Sequence, residues 1–413
     1  MADGERERTR LEEQVERLAV NCRQRTEDPF ELGVRWAVEG RRVDYLYRQH
    51  RLVCDESDLE TVLKAFSAIK ERRPPAKRRS TGPVGLVVLD TEGRDAADLA
   101  DRLSEQIGDD QVVTPVYVLD TQARDRMCPA TDPVPWAGDV PVWPEPVGGR
   151  RVQVAVVDTG WAEEAASDSG FDRYAAVDRG RSEQDDELYF EDGTIRPYGG
   201  HGAATTACVL ATAGAAGVTV TVRDVLVGGG VDELAIIEDL VAVVEQGVDV
   251  ISLQAGFYTA GNREPKSFVN FRRYILAKKR DTVVLAAAGN DGTDRPLWPA
   301  AFGYVTAVGA LTKGGDARAR WSNMGHWVDV YATGEGVVVP YANGRFLYPD
   351  RTSAEFTQGK AMWSGTSFST PYVAGMVARR MIERDVSARR ALKQLMQEAQ
   401  DAALPTTGPR LVF

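Results

Sequence analysis

The sequence predicts two parts: an α/β domain on a parallel sheet with helices on both faces, preceded by a small α+β domain. Three observations predict it. Valine-rich apolar runs recur at 152–157, 218–225, 248–253, 282–287 and 304–308, as expected of strands buried on both faces. Helical patterns lie between them at 201–213, 233–246 and 267–279, the alternation that builds a parallel sheet. Ahead of residue 126 the chain instead mixes period-2 and period-3.6 segments on a smaller scale, so the domains are set at 1–125 and 126–413.

In the first domain, Leu11, Val15, Leu18 and Cys22 are spaced four, three and four apart, one apolar stripe on a charged helix over 5–25. The stripe can dock on the body of the protein or on a partner. Residues 43–53 read as a strand. Residues 57–69 read as a helix, with Asp55 or Ser57 as N-cap and Leu59, Val62, Leu63 and Phe66 on one face. The run 70–79, KERRPPAKRR, is a basic, proline-broken linker. A strand at 84–90, a helix at 95–107 and a strand at 112–120 complete a split βαβ pattern. Residues 121–150 are proline-rich and irregular and lead over the surface into the second domain, whose last helices fall at 369–382 and 387–401.

Composition narrows the function. Hydrophobic content is 43% and the net charge is −11, which argues against a nucleic-acid-binding surface. The N-terminus is dense in charge, without the apolar core of an export signal, and no run approaches the ~18 apolar residues of a membrane span. The expected location is the cytoplasm. The four cysteines, Cys22, Cys54, Cys128 and Cys208, show no metal-type spacing and are expected as free thiols.

Four blocks carry the chemistry: VAVVDTG at 154–160, GGHGAA at 199–204, AAAGND at 286–291 and WSGTSFSTPYVAG at 363–375. They supply Asp158, His201, Asn290 and Ser367. An acid can orient an imidazole, the imidazole can act as base toward a hydroxyl nucleophile, and a side-chain amide can donate to an oxyanion. Asp158 ends a strand, at the sheet edge where α/β sites lie. Of the three histidines, only His201 stands in such a context; His50 lies in the first domain and His326 on the SNMGHW turn. Ser367 opens a helix, whose N-terminal partial charge favours an oxyanion.

At these residues the chain resembles the subtilisin-like serine proteases, or subtilases, over roughly 135–413. Gly365, Thr366, Ser367, Pro371, Val373, Ala374 and Gly375 reproduce the family's GTSxxxPxVAG pattern, and WPAAFGYVTAVGAL at 298–311 and the Trp321-Ser322-Asn323 block also match. The resemblance implies a subtilisin-like fold, an acyl-enzyme on Ser367, and peptide or protein substrates, with no cofactor required. Two positions depart from the pattern: Ala203 stands where threonine is usual after His-Gly, loosening the packing expected beside the imidazole, and Ala332-Thr333-Gly334 replaces Ala-Pro-Gly.

By the same resemblance, Ser252, Leu253, Gln254, Ala255 and Gly256 form one wall of the main specificity pocket, and Ala286, Ala287, Ala288 and Gly289 the other. Gln254 and Ala255 replace the usual glycines and Leu297 stands at the base, so a narrow pocket for small or medium apolar side chains is expected. Residues 1–125 hold the place of a subtilase pro-domain, which inhibits in cis; a lasting regulatory or recruiting domain is the alternative. Glu183–Asp192 carries six acidic residues. It reads as a solvated loop, an attractor of basic substrates or a Ca²⁺ site, the last left unassigned for want of an EF-hand pattern. Gly228-Gly229-Gly230 lacks the spacing of a nucleotide loop. A protease dedicated to maturing one precursor, a silent peptide-binding pseudoprotease and a ligase or macrocyclase using the same acyl-enzyme remain the other readings.

Overall fold

The computed structural model describes residues 2–412 except 26–27, 38–41, 70–77, 121–129, 140–149, 168–175, 186–187, 215–216, 227–229 and 349. Residues 70–77 of the basic linker, most of the proline-rich segment, Cys128, Gly228 and Gly229 therefore lie outside the described residues, while the linker's last two residues, Arg78 and Arg79, are not linker but strand. Two units form: Met1–Ala123 with Gly230–Ala242 and Phe257–Arg280, and Arg124–Gly229 with Val243–Gly256 and Asp281–Phe413.

The first unit begins with helix α1 (Ala2–Gln24), which buries Leu18 and Cys22, with Val15 half-buried, against Phe30, Leu46 and Val118. Val15, Leu18 and Cys22 of its stripe thus dock on the chain's own unit, and the Leu11 side chain lies outside what is described. Strand β1 (Leu32–Trp36), unread in the sequence, pairs with β2 (Val43–Asp55). Helix α2 (Leu59–Ala68) follows a 3₁₀ turn at Glu56–Asp58, so its N-cap is Asp58 and neither Asp55 nor Ser57. The Asp55 carboxylate is taken elsewhere, by Lys266 at 2.9 Å and Asn270 at 2.6 Å. After β3 (Arg78–Ser80) and β4 (Leu86–Asp90), helix α3 (Ala96–Ile107) is capped by Asp95, which accepts from the amides of Ala97 and Asp98, and stops at left-handed Gly108. Strand β5 (Val113–Asp120) completes an antiparallel sheet in the order β3-β4-β2-β5, with Gly230–Asp232 as the strand beyond β5.

That last pairing joins a segment more than 100 residues downstream to the N-terminal sheet. Leu18 of α1 lies so close to Gly230 that a Cβ there would meet Leu18 Cδ1 at 2.6 Å. Arg48, itself buried, bonds Asp232 at 2.9 Å. Glu233 is fully buried and accepts from the Tyr117 amide at 2.9 Å and from the Ser267 hydroxyl. The helix expected over 267–279 is broken into an α turn (Lys266–Asn270), a π turn (Phe271–Ile275) and a 3₁₀ turn (Leu276–Lys278). Phe268, Phe271, Ile275 and Leu276 are all buried, and Asn270 is tied to Asp55 and the Val84 carbonyl.

The second unit is built on a seven-stranded parallel sheet. Its order is Arg410–Leu411, Val330–Thr333, Val305–Leu311, Val283–Ala287, Val250–Leu253, Val152–Asp158, Val218–Asp224. The chain steps outward from 152–158 to 218–224, then returns to the other side of 152–158 with 250–253 and continues in that direction. Strand order reverses at 152–158, and ligands of open α/β sheets gather at the carboxyl ends of strands at such a reversal. Asp158 is the last residue of that strand.

Two buried helices cross beside the sheet. Every residue of His201–Ala213 is buried, and Thr366–Arg384 contacts five strands of the sheet. They approach closely at Gly375, where a Cβ would lie 2.1 Å from Thr212 Oγ1 and 2.2 Å from the Val209 carbonyl; Thr212 bridges the helices by donating to the Tyr372 carbonyl at 2.8 Å. The required glycine thus fixes the distance between the helix that begins with the histidine and the helix that carries the serine.

Candidate active site

The histidine helix is aligned by contacts between two motifs. Gly202 donates its amide to Thr159 Oγ1 at 3.0 Å, and a Cβ at 202 would lie 2.1 Å from the Gly160 carbonyl oxygen. Residues after the acid and after the imidazole therefore interlock. Asp185, in the acidic segment, accepts from the Gly200 amide at 2.7 Å, and Glu183 accepts from the Asp224 amide at 2.8 Å and pairs with Arg223. These two acids brace the fold instead of standing in a solvated loop. Among the described residues no group of three or more His, Cys, Asp or Glu is arranged to hold a metal ion.

The result is a buried acid–imidazole pair. His201 Nδ1 lies 2.7 Å from Asp158 Oδ1, with 2% and 0% of the two residues exposed. The same Oδ1 accepts the Thr159 amide at 2.8 Å, and Oδ2 accepts the Thr205 hydroxyl at 2.8 Å. With Nδ1 on the carboxylate, Nε2 is the nitrogen left for proton transfer. The imidazole is wedged by two rings, Trp363 at 5.3 Å and Phe368 at 5.4 Å between centroids. Ala203 itself is fully buried in the same helix. His50, bonded to Glu31 and the Arg94 carbonyl, and the exposed His326 stand elsewhere.

Ser367 is fully buried between two residues that touch the other groups: Phe368 packs on His201, and Thr366 holds Asn290. Asn290 Oδ1 accepts from both the amide and the hydroxyl of Thr366 at 2.9 Å, and Thr366 Oγ1 in turn accepts the Gly289 amide at 3.1 Å. With the oxygen end of the Asn290 amide fixed on Thr366, its NH₂ end is turned the opposite way. Ser367 Oγ and His201 Nε2 are both buried, and neither has a hydrogen-bond partner among the described residues. Catalytic hydrogen bonds are often long without substrate and tighten when it binds. Pro371, with no N–H, leaves the Ser367 carbonyl without its i+4 helical donor.

The asparagine loop has its own brace. Asn323 accepts the amides of Asp291 and Thr293 at 3.0 and 3.3 Å and donates to the Ala288 carbonyl at 2.8 Å. The Gly334 kept from the altered Ala332-Thr333-Gly334 block packs where a Cβ would lie 2.3 Å from Ser369 Oγ, and its carbonyl accepts the Gly365 amide at 2.9 Å. That glycine, rather than the missing proline, is what the serine turn requires.

Both expected pocket walls are ends of neighbouring sheet strands, since Val250–Leu253 pairs with Val283–Ala287. Gln254 does not project from its wall. It folds back on its own strand, its amide donating to the Ser252 carbonyl at 3.2 Å and its Oε1 accepting the Ser252 hydroxyl at 3.3 Å. Leu297 lies against a glycine of each expected wall: a Cβ on Gly256 would lie 2.7 Å from its Cδ2, and one on Gly289 2.8 Å from it. Leu253, Ala255, Ala287 and Ala288 are buried alongside.

Sequence reasoning missed Thr205 and Trp363 at this site, and the bracing roles of Thr366 and Asn323. The i+4 spacing of Thr205 from His201 was the available signal for the first; the second and fourth reach the site through folding alone.

The comparisons agree with the geometry. The model of the subtilase family matches residues 149–410. The chain is 29% identical over 269 residues to the major intracellular serine protease of Bacillus subtilis (strain 168), covering 61% of this chain and 75% of that one. In fold it is similar to fervidolysin from Fervidobacterium pennivorans, a keratinolytic enzyme related to subtilisin, at TM-score 0.54 and 16% identity over 89% of this chain and 60% of that one. It is also similar to a lanthipeptide protease, at TM-score 0.51 and 24% identity over 64% and 86% of the two chains. The matched family region contains the acid, the imidazole, the amide and the alcohol, and the chain belongs to the subtilase family as a subtilisin-like serine endopeptidase.

Proposed function

We propose that Ser367 is the nucleophile of this endopeptidase, with His201 as its general base, Asp158 as the acid that orients His201, and Asn290 as an oxyanion donor. The observation that carries the reading is the buried 2.7 Å contact between Asp158 and His201 Nδ1, which directs Nε2 away from the acid. Ser367 Oγ adds to the substrate carbonyl carbon while its proton passes to His201 Nε2. The oxyanion meets the Asn290 amide and a backbone N–H near Ser367. Collapse of this intermediate expels the amine, which takes the proton from Nε2. Water, deprotonated by the same nitrogen, then releases the acyl group and restores the serine.

The specificity pocket takes small or medium apolar side chains, because Leu297 lies against a glycine of each wall. So narrow a pocket suits cleavage at a restricted set of sites, as a precursor-maturation protease requires. We assign residues 1–125 to control in cis, because α1, β5, Arg48 and Asp55 engage segments 230–242 and 257–280, both inside the family-matched region. A cytoplasmic location fits the buried free thiols Cys22, Cys54 and Cys208 and the likeness to an intracellular protease. Among the described residues no helix is long and apolar enough to cross a membrane.

Peptide-library digestion by wild type and Ser367→Ala, with products read by mass spectrometry, tests the reading. Hydrolysis lost in Ser367→Ala, with cuts after small or medium apolar residues, supports it. Hydrolysis surviving in Ser367→Ala overturns the mechanism, and dominant cuts after Arg or Lys overturn the pocket. Ring-closed or ligated products in place of hydrolysis point to acyl transfer to an amine.

A further inference from the structure

We propose that Thr205 is a positioning residue of the reaction: its hydroxyl holds the second oxygen of the Asp158 carboxylate so that the first stays on the imidazole. The inference rests on the catalytic reading of Asp158, His201 and Ser367.

The carboxylate of Asp158 is wholly buried, so its donors must come from the protein. Oδ1 is served twice, by His201 Nδ1 at 2.7 Å and the Thr159 amide at 2.8 Å. Oδ2 has one donor among the described residues, Thr205 Oγ1 at 2.8 Å. The Thr205 hydroxyl also lies 3.1 Å from the Gly202 carbonyl, but it has one proton to give. The ionised oxygen is the nearer and the stronger acceptor, so the proton goes to Asp158.

The placement follows from helix geometry. Thr205 is four residues after His201 in a helix whose every residue is buried, so its side chain stands on the same face one turn along. The acid is thereby gripped by two residues of one rigid element, the imidazole on one oxygen and the hydroxyl on the other. A carboxylate held at a single oxygen can turn about its Cβ–Cγ bond and carry the imidazole with it. Held at both, it keeps Nε2 aimed while the imidazolium forms and discharges. The chain has alanine at 203 and 204, so the first side-chain hydroxyl after the His-Gly pair is the one at 205.

Three variants test this in the full-length chain on a peptide substrate. Thr205→Val keeps the shape and removes the donor; its kcat should fall about tenfold or more, with KM within about twofold, since a hydrogen bond to a charged group is lost from the reacting assembly and not from the substrate site. Thr205→Ser keeps the donor and should retain kcat within about threefold of wild type. Labelling of Ser367 by a fluorophosphonate should slow in the valine variant and recover in the serine variant. Wild-type kcat in Thr205→Val, or a loss in Thr205→Ser as deep as in Thr205→Val, overturns the proposal. If the valine variant does not fold, Thr205→Ala against Thr205→Ser is read by the same criteria. Activity that survives Ser367→Ala marks failure of the underlying mechanism, which is separate from equal activity of the Thr205 variants.

Discussion

Gly202 stands directly on Gly160: a Cβ at 202 would lie 2.1 Å from the Gly160 carbonyl oxygen, closer than any side chain tolerates. The glycine after the histidine and the glycine after the aspartate are thus a contact pair, and their closeness sets the acid–imidazole distance. Gly202→Ala must push the histidine helix off the Asp158 strand. Overpacking of this kind costs about 1–3 kcal/mol, and a displacement on the order of 1 Å costs about 10²-fold in rate. Thermal unfolding and kcat of Gly202→Ala should fall together. An alanine variant with wild-type kcat would show that the two motifs do not set the catalytic distance.

Thr366 fixes the oxygen end of the Asn290 amide through both its amide and its hydroxyl. Thr366→Val keeps the backbone bond and removes the hydroxyl, so Asn290 loses one of the two bonds that Thr366 gives it. The expected result is a kcat lower by about tenfold with little change in KM. Asn290→Ala removes the proposed donor itself and should cost about 10²–10³-fold, a range measured in subtilisin, the family's namesake. Steady-state kinetics that rank Thr366→Val below Asn290→Ala would contradict this order of effects.

Leu297 fills the space between Gly256 and Gly289. Leu297→Gly should open it, raising kcat/KM for substrates with Phe or Tyr before the cut by about tenfold or more relative to Ala, the scale of a few methylene groups in an apolar pocket. A side-by-side digest of matched peptides reads the change. An unchanged Phe-to-Ala ratio removes Leu297 from the pocket.

Glu233 gives the first unit a pH dependence. Burial, opposed by the bonds from Ser267 and Tyr117, raises its carboxyl from the ordinary 4.5 to about 7, with the neighbouring Asp232 adding to the rise. Between those values the folded chain holds a proton that the unfolded chain has released, so stability must fall as pH rises through the window. The whole fall amounts to roughly 3 kcal/mol at most. Glu233→Gln cannot ionise and should flatten the profile. Urea unfolding of wild type and variant at pH 5 and pH 7.5 measures it; a wild-type chain more stable at pH 7.5 by this route, with the variant unchanged, would reverse the sign.

Much of this was legible before folding. His201–Ala213 was readable to the residue, because its apolar period meets a glycine pair before it and Gly214 after it. The buried parallel strands declared themselves as valine runs, since both their faces are covered. What escaped is non-local. Gly230–Asp232 becomes a strand because β5 offers it a partner from more than 100 residues away, and no local period records that. The broken helix after Lys266 answers to Asp55 and Val84 of the N-terminal domain. At the site, Asp158, His201, Asn290 and Ser367 were named by their motifs. Trp363 and Asn323 act through space, and Gln254 turned inward because Ser252, two residues back, satisfies its amide.

The convergence of Asp158, His201 and Ser367 on one reaction is tested most directly by fluorophosphonate labelling of the intact chain, with mass and labelling rate measured together. The account predicts one adduct per chain, on Ser367, absent from Ser367→Ala and formed far more slowly in His201→Ala and Asp158→Asn. An adduct on another residue, or a labelling rate indifferent to His201 and Asp158, would contradict it.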